Sequence, residues 1–227
     1  MSLSSESHAT RSVERALRLL VHVTEHAPTT LSDCSRSLGI PVTTALRLLR
    51  TLEGLGFVRR EADGVFQPGA RAFRLGAIAI SRHQLVTVAV PALRRLATLS
   101  GESAYLAVVH GTDEALFIAM AEGTQSIRHV GWVGRTAPMA GTALGRALSD
   151  DCADDFVVGR SESEPDVTAI ASPVRWRGGV LAAVNVVGPA YRLDHAHAAT
   201  VGAAVAAEAR SITDALFPAP ASEVTRA

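Results

Sequence analysis

Residues 31–69 read LSDCSRSLGIPVTTALRLLRTLEGLGFVRREADGVFQPG, and the organisation of the first part of the chain can be worked out from them. The pattern predicts a short helix over residues 31–38, which Gly39 ends because glycine tolerates the left-handed backbone of a helix exit. Pro41 stands at the start of a second predicted helix, over residues 42–53, where its missing N–H costs no helical hydrogen bond. Two short helices joined by a tight turn are therefore expected.

The second helix separates an apolar face from a polar one. Positions at i, i+3, i+4 and i+7 form one stripe toward the core, made of Ala45, Leu48, Leu49 and Leu52. The opposite face carries Thr43, Leu46, Arg47, Arg50 and Thr51. A second helix that presents hydroxyls and guanidiniums is typical of a helix-turn-helix, in which this helix enters the major groove of DNA. Arginine can bridge O6 and N7 of guanine or hold a phosphate.

A hairpin is predicted directly after the second helix. Gly56 closes the helix, and residues 57–60 then alternate as a strand. Asp63-Gly64 is a two-residue turn signal, after which residues 65–67 return as the partner strand. Two helices and a hairpin make a winged helix-turn-helix. The side chains that we predict to contact DNA are Thr43, Thr44, Arg47, Arg50, Arg59, Arg60 and Arg11.

A small helical bundle is the alternative for this region. In such a bundle Arg47 and Arg50 would only hydrate an outer face, as charged side chains commonly do. The agreement of several independent signals within one run favours the winged helix instead. These signals are a helix cap at Thr29 or Thr30, the tight turn, the apolar stripe, the glycine exit and the hairpin.

The composition is that of a folded protein, with 227 residues, 48% hydrophobic and 19% charged, enough for one large domain or two modest ones. No apolar run reaches membrane-spanning length and the first residues lack a signal-peptide pattern, so we expect a cytoplasmic protein without membrane contact. Residues 1–82 contain 11 arginines and 7 acidic residues, whereas residues 83–227 contain 11 and 15. The first part is therefore the one suited to a polyanion. Two cysteines, Cys34 and Cys152, are too few for a disulfide framework.

A longer helix is predicted before the helix pair, with Ser12 as its cap. Its apolar residues are expected to form a buried stripe of Val13, Ala16, Leu17, Leu20 and Val21. Arg11, Arg15 and Arg18 lie around its start and outer side. There they either contact a phosphate backbone or hydrate the helix, and the sequence leaves both roles open.

Residues 70–80, ARAFRLGAIAI, predict a helix that is more apolar than a small domain needs. We interpret it as a linker whose excess apolar surface is suited to pairing with a second copy of the chain. The predicted organisation is a disordered tail over 1–10, a DNA-binding domain over 11–69, a linker helix over 70–84, a second domain over 85–217 and a tail over 218–227.

The second part of the chain alternates predicted helices and strands. A helix is expected over residues 88–99, with Pro91 in its first turn and Gly101 past its end. Strands are predicted over 104–109, 115–119, 127–133, 167–171 and 180–187, a loop turning into a helix over 138–148, and a last helix over 194–216. This order is typical of an α+β domain, a sheet with helices packed on it.

Over about residues 11–217 the chain resembles the isocitrate lyase regulator (IclR-type) family of bacterial transcription factors. The matching segments in the first part are Ser12-Val13-Glu14-Arg15-Ala16-Leu17, Gly39-Ile40-Pro41, Thr43-Thr44, Arg47-Leu48-Leu49 and Gly56-Phe57-Val58. In the second part they are Gly101-Glu102, Pro138-Met139, Leu144-Gly145-Arg146-Ala147, Ile170-Ala171-Ser172-Pro173-Val174 and Val187-Gly188-Pro189. The resemblance implies a winged helix, a dimerising linker helix and a GAF-like sensor domain. It further implies dimers or paired dimers on palindromic double-stranded DNA, controlled by a small metabolite, often an organic or aromatic acid.

The sensor half departs from the family pattern between Leu148 and Ile170. Family members carry several tens of residues there that cover the ligand pocket, whereas this chain has only SDDCADDFVVGRSESEPDVTA. The ligand-facing positions implied by the resemblance are Ala143, Leu144, Ala169, Asn185 and Val187. Backbone N–H groups at the helix start could hold a carboxylate, and Asn185 is polar. Ala169 and Val187 are apolar, which favours a ligand more apolar than a small dicarboxylate.

Other candidate sites are weighed against plain structural roles. Trp132, Tyr105 and Phe117 are predicted to line the sensor cavity because such pockets have aromatic walls, with an ordinary core position as the alternative. Asp194 in Asp194-His195-Ala196-His197 is interpreted as a helix cap, since histidines two apart on a helix point in different directions. The sequence contains neither a GxSxG motif nor a phosphate-binding GxxxxGK loop. We therefore predict no catalytic residue, metal or cofactor.

The leading hypothesis is a DNA-binding regulator that acts as a homodimer or dimer of dimers under the control of a small-molecule effector. Effector binding would change the packing of the second domain and so the spacing of two reading helices over DNA half-sites. One alternative is a constitutive or partner-controlled repressor whose shortened sensor binds no ligand. The other is an enzyme built on the α+β half, which requires a cluster of catalytic groups that this sequence does not supply.

Overall fold

The computed structural model describes residues 8–152, 154–160 and 166–218. The chain divides into two compact units, residues 1–79 and 80–227. The first unit contains α1 (His8–Glu25), α2 (Leu31–Leu38), α3 (Val42–Gly54), β1 (Val58–Arg60), β2 (Phe66–Pro68) and most of α4 (Ala70–Ser81). The second contains α5 (Gln84–Ser100), β3 (Ser103–His110), β4 (Glu114–Ala121), β5 (Thr136–Pro138), α6 (Ala143–Leu148), β6 (Val157–Arg160), β7 (Val167–Trp176), β8 (Gly179–Pro189) and α7 (His195–Leu216).

The helix pair at the start of the first unit has the limits that its cap residues predict. Thr30 caps α2, because its Oγ1 accepts a hydrogen bond of 3.2 Å from the backbone N–H of Asp33. Gly39 ends α2 in the left-handed conformation, with φ of +62°. Thr29, the other candidate cap, is instead paired through its backbone with Phe66 of the wing.

The core of the first unit confirms the predicted stripe of α3 and corrects that of α1. Ala45, Leu48, Leu49 and Leu52 are all buried. In α1, Leu19 and Val23 are fully buried and Ala16 and Leu20 partly so, whereas Val13, Leu17 and Val21 are 52–59% exposed. Apolar residues cover two neighbouring stripes of α1, and packing against α2 and α3 decides which of them is buried. Helix α1 begins at His8, inside the range 1–10 predicted as a tail; residues 1–7 and 219–227 lie outside the described residues.

The wing is a hairpin with a three-residue loop, not the two-residue turn that Asp63-Gly64 predicts. Gly64 N–H donates to the carbonyl of Glu61 and Glu61 N–H donates to that of Val65, both at 2.9 Å. Gly64 has a positive φ of +88°. This geometry is that of a turn followed by a glycine bulge, the common form of a three-residue hairpin loop. Because the bulge adds one residue to the loop, the Asp63-Gly64 signal predicts a loop that is one residue too short.

Helices α4 and α5 lie on either side of a short break, and α5 differs from its prediction. No residue of α4 is buried within the chain. Helix α5 begins at Gln84, four residues before the predicted start at 88, because Leu85, Val86 and Ala89 extend its buried stripe toward the amino terminus. Pro91 therefore lies inside the helix and not in its first turn. Among the described helices no single one is long and apolar enough to cross a membrane, although α4 and α5 would pass that test if joined.

The second unit is built on a six-stranded sheet of order β5-β4-β3-β8-β7-β6, in which every neighbouring pair is antiparallel. Two of its strands differ from the prediction. Residues 127–133 form no strand, because Ile127, Val130 and Val133 are 41–71% exposed and β5 takes the place beside β4. Strand β6 was not predicted, since the acidic segment around it shows no alternating pattern.

The two faces of the sheet carry two separate hydrophobic clusters. Successive side chains of a strand point to opposite faces, so Ala104 and Leu106 of β3 pack under α5 and α7 while Tyr105 and Ala107 face the other way. In β8, Val184 and Val186 likewise belong to the cluster under α5 and α7. The opposite face is covered by α6 and by residues 122–135, and it is the face that contains the candidate ligand cavity.

Candidate nucleic-acid interface and effector cavity

The outer face of α3 presents the side chains predicted to read DNA. Thr43, Arg47 and Arg50 are exposed, and Thr44 is half-buried. No salt bridge to Arg47 or Arg50 is found in the part of the chain that the structure describes. The buried stripe on the other side of α3 anchors the helix, so both guanidiniums extend from a rigid support.

The wing carries two arginines whose side chains have different partners. Arg59 forms an ion pair with Glu61 at 2.5 Å and donates to Gln67 Oε1 at 2.7 Å. Arg60 lies over the ring of Phe66, 5.6 Å from its centroid. Arg59 is thus partly neutralised by its neighbours, whereas Arg60 keeps its charge close to the hairpin.

Arg11 lies beside the turn between the two short helices. Together with Glu14, Arg15 and Arg18 of α1 it borders a concave surface of about 260 Å³, whose other wall is Leu38, Gly39 and Ile40. Arg18 pairs with Glu14 at 3.6 Å. This surface lies next to the start of α3.

A cavity of about 100 Å³ lies on the face of the sheet in the second unit that α6 covers. The structure brings six of the predicted effector-facing residues to its wall: Trp132, Ala143, Leu144, Ala169, Asn185 and Val187. Phe117 also lines it, as do residues that the sequence did not single out, including His129, Thr142 and Gly159. His129 was missed because its segment was interpreted as a strand.

An aromatic cluster forms one side of the cavity. The rings of Phe117 and Trp132 meet edge to face with centroids 5.3 Å apart, and His129 lies 4.8 Å from Trp132. Tyr105 packs edge to face beneath both Phe117 and His129, at 5.3 and 5.4 Å. Tyr105 does not line the cavity, so the alternative of a plain core position applies to it.

Tyr105 and His129 are joined by two hydrogen bonds. The Tyr105 hydroxyl lies 2.8 Å from His129 Nδ1 and donates to the His129 carbonyl at 3.0 Å. With its one proton given to the carbonyl, the hydroxyl accepts the proton of Nδ1. Burial of Tyr105 raises the pKa of its hydroxyl to about 12. The strand β3 is thereby fastened to the segment that carries His129 and Trp132.

Asn185 is one of the polar side chains that line the cavity. Its backbone lies in the centre of the sheet, paired with Tyr105 on β3 and Ala171 on β7. The side chain is 1% exposed, and its Oδ1 has no hydrogen-bond partner among the described residues. A buried carbonyl oxygen without a partner is uncommon, because its desolvation is not compensated.

A buried ion pair holds the segment that covers the cavity. Arg192 donates from Nε and Nη2 to the two carboxylate oxygens of Glu102, at 2.5 and 3.0 Å, and Nη2 also donates to the carbonyl of Ile127 at 2.7 Å. Glu102 is 1% exposed. The N–H of Gly123 donates to Ser103 Oγ at 3.1 Å. Residues 122–135, which carry His129 and Trp132, are therefore tied to both β3 and the end of β8.

The remaining candidates have structural partners. Asp194 caps α7 by accepting from the backbone N–H of His197, and this hydrogen bond lowers the pKa of its carboxyl. Burial raises the pKa of the Cys34 and Cys152 thiols, which makes neither a reactive thiolate. No group of three or more histidine, cysteine or acidic residues within the described ranges is arranged to hold a metal ion.

Comparison with known families matches both units. The model of the IclR helix-turn-helix domain matches residues 12–62, and the model of the bacterial transcriptional regulator IclR C-terminal domain matches residues 77–157 and 152–214. The chain belongs to the IclR family. It is thus a DNA-binding transcriptional regulator, and the predicted fold of a winged helix-turn-helix followed by an α+β sensor domain is confirmed.

Individual IclR-family proteins are similar along most of the chain. The HTH-type transcriptional repressor AllR of Klebsiella pneumoniae is 26% identical over 96% of this chain and 94% of its own. The acetate operon repressor of Salmonella typhimurium is 31% identical over 65% of this chain and 55% of its own. An IclR regulator from Alicyclobacillus acidocaldarius has the same fold, with a TM-score of 0.80 at 22% identity, over 89% of this chain and 97% of its own. An IclR homolog from Microbacterium hydrocarbonoxydans, solved with 4-hydroxybenzoate, has a TM-score of 0.76 at 22% identity, over 90% and 98%.

Proposed function

We propose that this IclR-family protein is a repressor that binds operator DNA through the exposed face of α3 and changes its DNA affinity when a small molecule enters the cavity of the second unit. The observation that carries the proposal is the α3 face itself. Arg47 and Arg50 extend from a helix whose other side is buried, without a salt bridge among the described residues. Relatives along almost the whole chain are named as repressors, which supports repression here.

The DNA-contacting residues take different roles in this proposal. Thr43, Thr44, Arg47 and Arg50 read base edges or hold the phosphates beside them, since they lie on the helix that enters the major groove. Arg60 of the wing and Arg11 of α1 contact phosphates, which fixes orientation without reading sequence. Arg59 contributes least, because Glu61 already neutralises it.

The effector site is the cavity around Asn185. Its wall of aromatic and small apolar side chains with a few polar groups is the usual composition of a small-molecule site. The relative solved with 4-hydroxybenzoate shares the fold, so a molecule of that size and kind is a reasonable reference compound. The presence of a formed cavity argues against a sensor that has lost its ligand, despite the shortened segment over 149–169.

Pairing of two copies is proposed for the first unit. Phe73 and Leu75 of α4 are 61–67% exposed, and Val13 and Leu17 of α1 are more than half exposed. Apolar side chains repeated along a helix face and left in water are typical of a surface that another chain covers. A homodimer would place two α3 helices over the halves of a palindromic operator, and a dimer of dimers would join two such sites.

The remaining properties follow from this role. A regulator of bacterial transcription acts where the DNA is, so we place the protein in the cytoplasm. We assign it no enzymatic activity, because the relatives are named as repressors and the polar groups that the described residues bring to the cavity form no nucleophile and base pair.

The test is binding of the full-length protein to the DNA upstream of its own gene. Replacing Arg47 with alanine is expected to weaken specific binding by about 1–3 kcal/mol, because a base-reading arginine is lost. Arg94→Ala is the matched control, since Arg94 is an exposed arginine on α5 in the other unit. Mobility-shift titrations at one fixed salt concentration measure both variants. Unchanged affinity for Arg47→Ala would remove this residue from the reading face.

A further inference from the structure

Residues 124–135 form an irregular segment that lies over the cavity and buries few of its own side chains. The segment contains neither a helix nor a strand. His129 and Trp132 are half-buried and line the cavity, whereas all the other residues of the segment are exposed. Apolar burial is the main force that holds a segment in place, and this one has little of it. We call residues 124–135 the lid.

Both ends of the lid are fastened by backbone hydrogen bonds. At the first end, the N–H of Thr124 donates to the carbonyl of Gly101 at 3.0 Å. At the second end, the N–H of Gly134 donates to the carbonyl of Phe117 at 2.8 Å, and the N–H of Phe117 donates to the carbonyl of Arg135 at 3.0 Å. A segment with fixed ends and little buried apolar surface can move away in its middle while the sheet stays folded.

The middle of the lid is joined to the sheet unit by polar contacts from two side chains. Arg192 Nη2 donates to the carbonyl of Ile127 at 2.7 Å. The Tyr105 hydroxyl lies 2.8 Å from His129 Nδ1 and donates to the His129 carbonyl at 3.0 Å. The Arg192 contact is the stronger of the two kinds, because its donor is charged.

Arg192 reaches the lid from a fixed position. Its Nε and Nη2 donate to the two carboxylate oxygens of Glu102 at 2.5 and 3.0 Å, and its Nη1 donates to the Tyr191 hydroxyl at 2.8 Å. Glu102 is in turn packed against Gly188, where a β-carbon would lie only 2.6 Å from Glu102 Cδ. The planar guanidinium therefore joins a buried carboxylate to a backbone carbonyl of the lid.

We propose that Arg192 holds the lid closed over the effector cavity, and that a ligand enters when the bond from Arg192 to the Ile127 carbonyl opens and the lid carries His129 and Trp132 away from the cavity. The inference rests on the proposed function, in that it takes this cavity as the effector site. Arg192 is a positioning residue, since it is not among the residues that line the cavity. Glu102 keeps Arg192 in place while the lid is open, so the contact can form again.

Cleavage by trypsin under native conditions measures the opening of the lid. Arg128 lies in the middle of the lid, and a protease cleaves there when the segment leaves the sheet. Arg210 lies inside α7, so cleavage after it reports unfolding of the second unit as a whole. The ratio of the two cleavage rates, with fragments identified by mass, therefore isolates local opening from global unfolding.

The decisive variant removes the whole ion pair. Glu102→Met combined with Arg192→Met leaves no buried charge, and such a replacement is often neutral for stability. It does not restore the bond to the Ile127 carbonyl. Cleavage after Arg128, relative to cleavage after Arg210, is expected to rise at least about tenfold, the factor that corresponds to one hydrogen bond from a charged group.

The matched control is Arg95→Met combined with Glu208→Met. This pair is also bidentate, at 2.7 and 2.6 Å, but it joins α5 to α7 and does not touch the lid. The cleavage ratio of the control should equal that of the wild-type protein. If the variant without Glu102 and Arg192 does not fold, Arg192→Lys replaces it, because lysine keeps a charge beside Glu102 but lacks the planar fork. Its cleavage ratio should also rise.

A second measurement follows the access of a small molecule to the cavity wall. The probe is acrylamide, an uncharged quencher of tryptophan fluorescence. The chain has two tryptophans, and Trp176 is stacked on Phe217 outside the cavity, so a Trp176→Phe background reports Trp132 alone. Quenching of Trp132 should increase in the variant without Glu102 and Arg192 and stay unchanged in the control.

Any of three results would overturn the inference: an unchanged cleavage ratio in the variant without Glu102 and Arg192, unchanged quenching of Trp132 in it, or equal changes in the control. An ion pair that only stabilised the unit would give the first result, because apolar replacement of both partners restores stability. Operator binding is measured on the wild-type protein by mobility shift. A protein that binds operator DNA but fails the lid measurements retains the proposed function and loses this inference. A protein that passes them but does not bind DNA does the reverse.

Discussion

The winged-helix unit and the sheet unit use polar groups in opposite places. In the first, the core cluster is apolar, and the side chains proposed to contact DNA, Arg47 and Arg50, extend from α3 into solvent. In the second, Glu102, Asn185 and the Tyr105 hydroxyl are inside the protein. DNA is a large external partner, so its contacts are built on the surface of a rigid support. A small ligand is enclosed, so the polar groups that would contact it are buried before it binds.

Because of this difference, removal of one side chain should lower the free energy of unfolding of the two units for different reasons. The first unit depends on close packing of a single small cluster. The second also depends on polar contacts whose partners lie far apart in the sequence, such as Glu102 with Arg192. Three measurements of stability on the full-length protein can test this difference between the units.

Leu49→Ala in α3 is expected to have the largest effect. Leu49 is fully buried in the cluster of the first unit, so truncation leaves a cavity and destabilises that unit by about 4 kcal/mol. Leu55→Ala is the control, because Leu55 follows the same helix and is 49% exposed. Urea unfolding combined with hydrogen exchange measures both, and protection should fall over residues 8–69 and not over residues 85–217. Equal loss of protection in both ranges would contradict the separation of the two cores.

Arg192→Met is expected to have the next largest effect, on the second unit. It leaves the buried carboxylate of Glu102 without its partner and releases the carbonyl of Ile127, which should cost about 3 kcal/mol. Arg95→Met is the matched control, since Arg95 also forms a bidentate pair, with Glu208, but is 57% exposed. Exposed pairs contribute about 0–1 kcal/mol. Hydrogen exchange should increase over residues 122–135 for Arg192→Met alone, and equal effects of the two substitutions would mean that the ion pair of Arg192 with Glu102 does not hold this segment.

The two units also differ in how far their structure can be predicted from sequence. In the first, the cap at Thr30, the exit at Gly39 and the stripe through Leu49 are local signals, each within a few residues of the feature it sets. They located α2 and α3 to within one residue. The error in α1 arose where a tertiary choice was required, because Leu17 and Leu19 are both apolar and only packing distinguishes them.

In the second unit the candidate site depends on pairings between distant segments. Asn185 meets Tyr105 only because β8 lies beside β3, and that order cannot be obtained from either strand alone. Asn185 itself was identified through the family resemblance, not through a local pattern. His129 lies in an irregular segment whose alternating apolar residues predict a strand, so no local signal could place it at the cavity.

The smallest expected effect is an alkaline loss of stability that arises at Tyr105. Burial raises the pKa of its hydroxyl to about 12, above the value of 10.0 for a tyrosine in water. The folded state therefore favours the neutral phenol: its contribution to stability is fully present below pH 10 and is lost as the pH rises through 12. The expected loss is between about 2 and 3 kcal/mol. Because the raised pKa values of Cys34 and Cys152 also matter at alkaline pH, the quantity to compare is the difference between wild-type protein and Tyr105→Phe.

A spectroscopic titration separates this effect from general alkaline unfolding. The chain has two tyrosines, and Tyr191 is 71% exposed, so Tyr191→Phe leaves the phenolate absorbance to Tyr105 alone. That absorbance should appear near pH 12 in the folded protein and near pH 10 in urea. Appearance near pH 10 under both conditions would mean that water reaches the hydroxyl and that its bonds to His129 do not persist in solution. Residues 122–135 would then be open in the absence of ligand. The Tyr105 hydroxyl would no longer count among the buried polar groups that distinguish the second unit from the first.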